Sequence, residues 1–130
     1  MSKDVLKEII KKKIEKIDLL KKSISLNALN EQIDQNKTFI NFKDKIQNNV
    51  DNNKISLIAE IKKASPSAGI IMKNYSPVEI AKIYNDNKVT CLSILTEEDF
   101  FLGKLSDIIE VKEKINLPVL CKDFFIDKFQ

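Results

Sequence analysis

Residues 55–66 read ISLIAEIKKASP, an apolar run that ends in charged residues and a turn, and this stretch is the strongest indication of the fold class. An apolar run of this length is typical of a strand buried on both faces, as the strands of parallel sheets are. Two later apolar runs are similar, TCLSILT at residues 90–96 and PVLCKDFF at residues 118–125. The proline opens its run, where a missing N–H is tolerated. The sequence therefore predicts strands at 55–61, 90–96 and 118–125.

Helical segments separate the three predicted strands. Ser76, Pro77 and Glu79 combine an N-cap, a proline at the first helical position and a capping-box glutamate, which predicts a helix up to about residue 87. Residues 105–115 fit a second helix by the spacing of their apolar side chains. Its buried side is predicted to consist of Leu105, Ile108, Ile109 and Ile115.

The alternation of strands and helices predicts an α/β protein with a parallel sheet and right-handed crossovers. A doubly wound sheet and a barrel share this local order, so the periodicity leaves both open. A dinucleotide-binding fold needs a glycine-rich first turn, and the only glycines are Gly69 and Gly103. The sequence therefore disfavours a dinucleotide site.

The N-terminal part has a different pattern. In residues 3–22, apolar residues recur every three or four positions, which predicts an amphipathic helix. Its buried stripe is predicted to be Leu6, Ile10, Ile14 and Ile17, with Ile9 and Leu20 flanking. The lysine run 11–13 is expected to lie on the solvated face. Residues 24–54 are polar and rich in asparagine, and they predict one or two short helices.

Composition narrows the chemistry that these residues can perform. The chain has no histidine and all 22 basic residues are lysine, so acid–base chemistry must use Lys, Glu or Asp. Cys91 and Cys121 lie in apolar runs without a Cys or His neighbour at metal-ligand spacing, and we expect buried free thiols and no metal site. No stretch approaches the ~20 apolar residues of a membrane span, so a cytoplasmic protein with no membrane partner is expected.

Three charged residues lie at the predicted strand ends. Glu60 and Lys62 are two positions apart, so they share one face of their strand, and Lys122 occupies the end of the third predicted strand. In α/β sheets the binding crevice lies at the carboxyl ends of the strands. An ordinary ion pair between strand ends stays open as the alternative. Lys63 faces the other way and is expected to be solvated.

Three segments resemble successive signature segments of the indole-3-glycerol-phosphate synthase family. They are IAEIKKASPS at 58–67, CLSILTE at 91–97 followed by FFLG at 100–103, and LPVLCKDF at 117–124. Their order and spacing agree, and the resemblance covers nearly the whole chain. It implies a partial (β/α)8 TIM barrel, with about three of the eight strands. Residues 1–54 would form an N-terminal helical extension, and 55–130 the first strand–helix units.

The resemblance also implies an activity in tryptophan biosynthesis, without a metal or organic cofactor. The family closes the ring of 1-(2-carboxyphenylamino)-1-deoxyribulose 5-phosphate to indole-3-glycerol phosphate, with loss of carbon dioxide and water. Lys122 matches the general acid that protonates the ketose oxygen. Lys62 matches a lysine that interacts with the substrate's carboxylate, and Glu60 matches the glutamate that orients these amines.

Four further residues match substrate-binding positions of the family. Ser65 and Pro66 would line the mouth of the site, and Phe101 and Phe124 would flank the aromatic ring of the substrate. Plain core packing stays open as the alternative for the two phenylalanines. One departure concerns the loop, because Ala68 stands where the family usually has a basic residue.

Length is the larger departure from the family. A complete barrel needs about 250 residues, so the sequence predicts a partner for this chain in a complementary C-terminal half-barrel. The isolated chain is expected to be poorly stable or to aggregate, since an open sheet exposes its edges. The alternative function is a non-catalytic remnant, which an early stop in the coding sequence after Gln130 would favour. A basic interaction module at 1–54 is a weaker alternative, because a nucleic-acid binder usually carries a denser basic patch.

Overall fold

A computed structural model of the chain describes residues 3–35 and 38–130. Within those residues the chain forms five helices and five short strands. In chain order they are α1 (Lys3–Ser23), α2 (Leu26–Gln35), α3 (Phe42–Asp51), β1 (Ile58–Ile61), β2 (Ala64–Ser65), β3 (Gly69–Ile70), α4 (Pro77–Asp86), β4 (Cys91–Leu95), α5 (Leu105–Lys112) and β5 (Val119–Lys122). They fall into two compact units, Met1–Phe39 with Phe124–Gln130, and Ile40–Asp123.

The first unit contains α1, whose buried stripe differs from the predicted one. Ile9 is 0% exposed, Lys13 7% and Ile17 6%, whereas Leu6 and Ile14 are 41% and 49% exposed. Burial of Ile17 is therefore confirmed, whereas the predicted burial of Leu6 and Ile14 and the predicted solvation of Lys13 were wrong. Apolar residues cover a wide arc of this helix, so periodicity does not tell which edge of the arc is buried. A lysine tolerates the buried edge because its methylene stem is apolar.

Side-chain contacts join α1 to the last residues of the chain within the same unit. Nζ of Lys21 lies 2.6 Å from Oδ2 of Asp127 and 5.8 Å from the centroid of the Phe129 ring. Every helix in the described part of the chain is too short or too polar to cross a membrane.

The second unit is built on a parallel sheet in the order β1-β4-β5. Ile58 pairs with Cys91 and Ile61 with Ile94, while Leu92 pairs with Val119 on the other side of β4. The predicted α/β class with a parallel sheet is therefore confirmed. The handedness of the crossovers stays a prediction.

The core of this unit lies on one face of the sheet. Side chains of that face pack with α4 and α5 in a single buried cluster: Ala59, Ile61, Ala81, Val89, Leu92, Ile94, Val111, Ile115 and Leu117. Side chains of β1 alternate between this core and the opposite face, so Ile58 is 45% exposed. Of the three strands described in this sheet, only the central strand β4 is buried throughout. Burial of β1 on both faces was a wrong expectation, because the described helices α4 and α5 cover one side.

The strands are shorter than predicted. The first begins at Ile58 instead of Ile55, whose side chain is 95% exposed, and the third ends at Lys122 instead of Phe125. The carbonyl oxygen of Leu57 still accepts the N–H groups of Thr90 and Cys91 at 3.0 and 3.2 Å, whereas Ile55 and Phe125 lie outside the described strands. A run of apolar residues predicts burial, and the length of the ladder depends on the neighbouring strand.

The two helices that cover the sheet agree with the sequence in position and differ in detail. Ser76 caps α4 by accepting the N–H of Glu79 at 3.4 Å, whereas the Glu79 carboxylate pairs with Lys82 at 2.7 Å. Leu105 and Ile109 of α5 are 63% and 61% exposed, so placing them on the buried side was wrong. The stripe with Leu105 and Ile109 and the stripe with Asp107 and Val111 both fit a helical period. Packing against α4 and the sheet buries the stripe of Asp107 and Val111.

Candidate active site

One acidic and two basic side chains meet at the carboxyl ends of β1 and β5. Nζ of Lys62 lies 2.7 Å from Oε1 of Glu60, and Nζ of Lys122 lies 3.2 Å from Oε2 of the same carboxylate. Each oxygen therefore holds a different lysine. We refer to Glu60, Lys62 and Lys122 as the charged cluster.

The sheet register explains how residues of two non-adjacent strands meet. Strand β4 lies between β1 and β5, with Ser93 beside Glu60 and Leu95 beside Lys122. Neighbouring strands are about 4.8 Å apart, so the backbones of β1 and β5 are separated by roughly twice that distance. The four-carbon stem of lysine is long enough to cover it. Parallel pairing thus brings the carboxyl ends, and with them the charges, to one edge.

The charged cluster is partly open to solvent. The side chains of Glu60 and Lys62 are each 33% exposed and that of Lys122 is 51% exposed. Burial raises the pKa of Glu60, but hydrogen bonds and positive charges from Lys62 and Lys122 together outweigh it and hold that pKa below its ordinary value of 4.5. Glu60 is therefore ionised at neutral pH. Two amines facing one carboxylate leave an excess of positive charge, which suits an anionic ligand.

Two residues outside the charged cluster form hydrogen bonds to the backbone that carries it. The Tyr84 hydroxyl on α4 donates to the carbonyl oxygen of Glu60 at 3.0 Å. Thr96, just after β4, donates its N–H to the carbonyl oxygen of Lys122 at 3.0 Å, and its hydroxyl lies 3.2 Å from Oδ2 of Asp123. Sequence reasoning assigned no role to Tyr84 or Thr96, since neither gives a signal until the fold brings it beside the strand ends.

Ser65 and Pro66 lie in a small antiparallel hairpin that the sequence did not predict. Strands β2 and β3 pair Ala64 with Ile70 and Ser65 with Gly69. The Ser65 hydroxyl accepts the N–H of Ala68 at 3.2 Å, so it closes the turn. Gly69 has a φ of 65°, which favours glycine. The hairpin follows Lys62 directly, and Pro66 is exposed at its turn.

The two phenylalanines are placed differently. Phe101 is half-buried in the loop between β4 and α5, in the same unit as the charged cluster. Phe124 is also half-buried but belongs to the unit formed by Met1–Phe39 and Phe124–Gln130, where its carbonyl oxygen accepts the side-chain amide of Gln130 at 3.0 Å. Phe101 therefore belongs to the same unit as the charged cluster, and Phe124 belongs to the other unit.

The remaining reactive side chains lie outside the charged cluster. Nζ of Lys63 is 5.9 Å from the centroid of the Tyr75 ring, and Lys63 is half-buried instead of fully solvated. Cys91 is buried and free, and burial raises the pKa of its thiol despite the charge of Lys45. Cys121 is free but only half-buried. Residues 3–35 and 38–130 contain no group of three or more His, Cys, Asp or Glu residues that could hold a metal ion.

A parallel sheet with helices on one face and convergent charges at the carboxyl ends of its strands defines an α/β protein of the kind that binds small ligands at that edge. Comparison with known proteins narrows this class of α/β proteins to one family. The family model for indole-3-glycerol phosphate synthase matches residues 6–130, and the chain belongs to that family.

Curated relatives agree over nearly the whole chain. It is 37% identical over 128 residues to the indole-3-glycerol phosphate synthase of Trichodesmium erythraeum (strain IMS101), which covers 98% of this chain and 42% of the relative. With the enzyme of the same name from Alkaliphilus metalliredigens (strain QYMF), identity is 40% over 126 residues, or 97% of this chain and 47% of the relative. A Buchnera aphidicola subsp. Diuraphis noxia protein, "Tryptophan biosynthesis protein TrpCF", is 42% identical over 131 residues, with 27% of it covered. The chain thus spans less than half the length of these relatives.

Proposed function

We propose that this chain supplies the charged cluster of an indole-3-glycerol-phosphate synthase. The reaction is the ring closure of 1-(2-carboxyphenylamino)-1-deoxyribulose 5-phosphate to indole-3-glycerol phosphate. The observation that carries the proposal is the Glu60 carboxylate, which holds Lys62 at 2.7 Å and Lys122 at 3.2 Å. Membership of the family supports the same reaction.

In this mechanism Lys122 is the general acid. The aromatic carbon that bears the carboxylate attacks the ketose carbonyl, and a C–C bond forms while the Lys122 ammonium gives a proton to the ketose oxygen. Its side chain is 51% exposed, so it is open to a ligand. The carboxylate then leaves as carbon dioxide, and its bonding electrons restore the aromatic ring. The new hydroxyl leaves as water, and loss of a ring proton completes the indole.

Lys62 and Glu60 are proposed to prepare the substrate and the acid. An ammonium at Lys62 pairs with the substrate's carboxylate before that group is lost, and assists proton transfer. Glu60 orients both amines and balances their charge, which its lowered pKa supports because the group stays ionised. Preorganised charges of this kind stabilise charge that develops in a transition state.

The substrate-binding roles extend this proposal. Ser65 and Pro66 would line the mouth of the site, which the hairpin immediately after Lys62 supports. Phe101 would lie against the aromatic ring of the substrate, and its place on the loop after β4 supports that role. Phe124, two residues after Lys122, is proposed for the other side of the ring.

We further propose that the parallel sheet is the first part of a (β/α)8 barrel, with residues 1–54 as the helical extension and 55–130 as the first strand–helix units. The order β1-β4-β5 supports this, because consecutive strands of the sheet are neighbours joined by α4 and α5. The partner would be the complementary part of the barrel, and the substrate a small phosphorylated molecule. A cytoplasmic location fits a biosynthetic enzyme of this kind.

The test uses a completed chain, in which this sequence is joined to the remaining part of the Alkaliphilus relative. We expect it to form indole-3-glycerol phosphate, followed by the fluorescence of the indole ring. Lys122→Ala should lower kcat by about 100-fold or more, since general acid catalysis contributes that much.

The matched control is Lys82→Ala, because Lys82 also forms an ion pair at 2.7 Å but lies on α4 away from the strand ends. Its kcat should stay within about twofold of the unchanged protein. Equal turnover of the Lys122→Ala variant and the unchanged completed chain would rule out the assignment of the acid.

A further inference from the structure

Glu97 is a fully buried carboxylate that no proposed catalytic step uses. It lies two residues after β4 and is 0% exposed. None of the ion pairs found among the described residues involves it. A buried charge is costly unless its oxygens are hydrogen-bonded, so the contacts of this carboxylate need an explanation.

Three consecutive backbone N–H groups donate to the Glu97 carboxylate. The N–H of Asp99 lies 3.2 Å from Oε1, while those of Phe100 and Phe101 lie 2.7 Å and 3.0 Å from Oε2. Hydrogen bonds to an ionised acceptor are stronger than neutral ones. Successive N–H groups that converge on one point form an anion-binding concavity, and here the anion comes from the chain itself.

The backbone of Glu97 closes the other end of the same loop. Its carbonyl oxygen accepts the N–H of Gly103 at 2.8 Å. A Cβ added at Gly103 would lie 2.1 Å from the carbonyl oxygen of Leu95, so this return to the end of β4 requires glycine. Leu102 has a φ of 55°, in the left-handed region. Residues 97–103 therefore form a tightly folded loop, which we call the Glu97 loop.

We propose that Glu97 is a positioning residue, whose buried carboxylate acts as the internal anion that folds the Glu97 loop and so fixes the position of Phe101 after the carboxyl end of β4. Phe101 is held through its own N–H, one of the three donors. The proposal deepens the proposed function and rests on it, because Phe101 is the side chain that would contact the aromatic ring of the substrate. Glu97 itself touches no reacting atom.

The first test measures the loop without any activity. In the completed chain, Glu97→Gln keeps the size of the side chain but replaces one acceptor oxygen by an NH2 group, which cannot accept a hydrogen bond. We expect the N–H protons of residues 99–101 to lose the downfield NMR shift of charge-assisted bonds, and hydrogen exchange there to become about tenfold faster or more. Exchange within β4 should not change. Unaltered shifts and exchange at 99–101 would overturn the proposal, even if the completed chain shows no synthase activity.

The second test asks whether Glu97 acts through Phe101. We expect Glu97→Gln to raise KM for the substrate by about tenfold, or about 1.4 kcal/mol, with a smaller change in kcat. Phe101→Leu should raise KM by itself, and adding Glu97→Gln to it should have little further effect. If the effects of the two substitutions on KM simply added in the double variant, the proposal would be contradicted. A purely structural Glu97 would act independently of the Phe101 ring.

The control is Glu98→Gln, which removes the same charge one residue further on at an exposed position. It should leave the N–H chemical shifts of residues 99–101 unchanged. KM should stay within about twofold of that of the unchanged protein. If the completed chain is inactive while Glu97→Gln still releases the loop, the proposed function fails and the folding role of Glu97 stands. An effect of Glu98→Gln as large as that of Glu97→Gln would overturn the proposal.

Discussion

At the scale of single residues, the site depends on Glu60, because its two oxygens serve different lysines. Without this carboxylate the two lysines would not lie close together, since two ammonium groups repel each other. The structure therefore makes a testable statement about the ionisation of this one carboxyl group.

The pKa of Glu60 should rise when either lysine loses its charge. Lys62→Met and Lys122→Met each remove a hydrogen bond and a positive charge that lower this pKa, with the larger contribution from Lys62. The measurement is an NMR titration of the Glu60 carboxyl carbon in the completed chain. Lys82→Met serves as the control and should leave the titration unchanged. If neither substitution changed the titration midpoint of Glu60, the charged cluster would not persist in solution.

The same shift sets the pH dependence of stability. A carboxyl whose folded pKa lies below its unfolded value stabilises the folded state above that unfolded value, and the contribution is lost as pH falls through the folded pKa. Glu60→Gln should therefore lower the free energy of unfolding at pH 7, by less than about 1 kcal/mol because the pairs are partly exposed. At a pH below the folded pKa the two proteins should be equally stable. Urea unfolding of both proteins at pH 7 and at successively lower pH provides the comparison.

At the scale of secondary-structure elements, α4 is tied to β1 by one hydrogen bond at the site. The Tyr84 hydroxyl donates to the carbonyl oxygen of Glu60 at 3.0 Å, beside a core in which Ala81 of α4 packs against Ala59 and Ile61. Packing sets how close the helix lies to the sheet. The hydrogen bond fixes the carboxyl end of β1, from which the Glu60 side chain projects.

Tyr84→Phe should lower the free energy of unfolding by about 1 kcal/mol, the usual net value of a lost hydrogen bond. The ring remains, so packing is largely retained. Ile83→Ala is the control, because Ile83 is 60% exposed on the same helix and should change stability by less than about 0.5 kcal/mol. Urea unfolding of the completed chain measures both variants. Equal stability of Tyr84→Phe and the unchanged protein would show that the bond does not couple helix and strand.

At the scale of the whole molecule, the two outer strands of the sheet expose apolar side chains. Ile58 and Leu120, on the face that carries the charged cluster, are 45% and 47% exposed. Strands β1 and β5 each pair on one side only among the described strands. Exposed apolar faces and unpaired edges favour association with other chains.

The 130-residue chain alone should therefore aggregate or unfold without a sharp transition, whereas the completed chain should melt cooperatively. Sedimentation velocity and calorimetry of the two proteins make the comparison. A monomeric 130-residue chain with a sharp two-state melt would contradict this expectation.

The class of the fold and the place of the charges could be predicted from local features of the sequence. Apolar runs that end in Glu60, Lys62 and Lys122 are local features, and side-chain alternation in a strand follows from backbone geometry alone. The cap at Ser76 is equally local, and the structure has it. Such features are predictable because their physical cause lies within a few residues.

Features that depend on residues far apart in the chain became visible only in the folded protein. Which stripe of α1 is buried, with Lys13 at 7% exposure, and which stripe of α5 faces the core follow from packing that no helical period contains. The meeting of Lys122 with Glu60 depends on β4 lying between their strands. Glu97 shows the same limit most clearly. In the sequence it is one acidic residue after a strand, and only the folded loop turns three N–H groups toward its carboxylate, because hydrogen bonds form between atoms that the fold brings together.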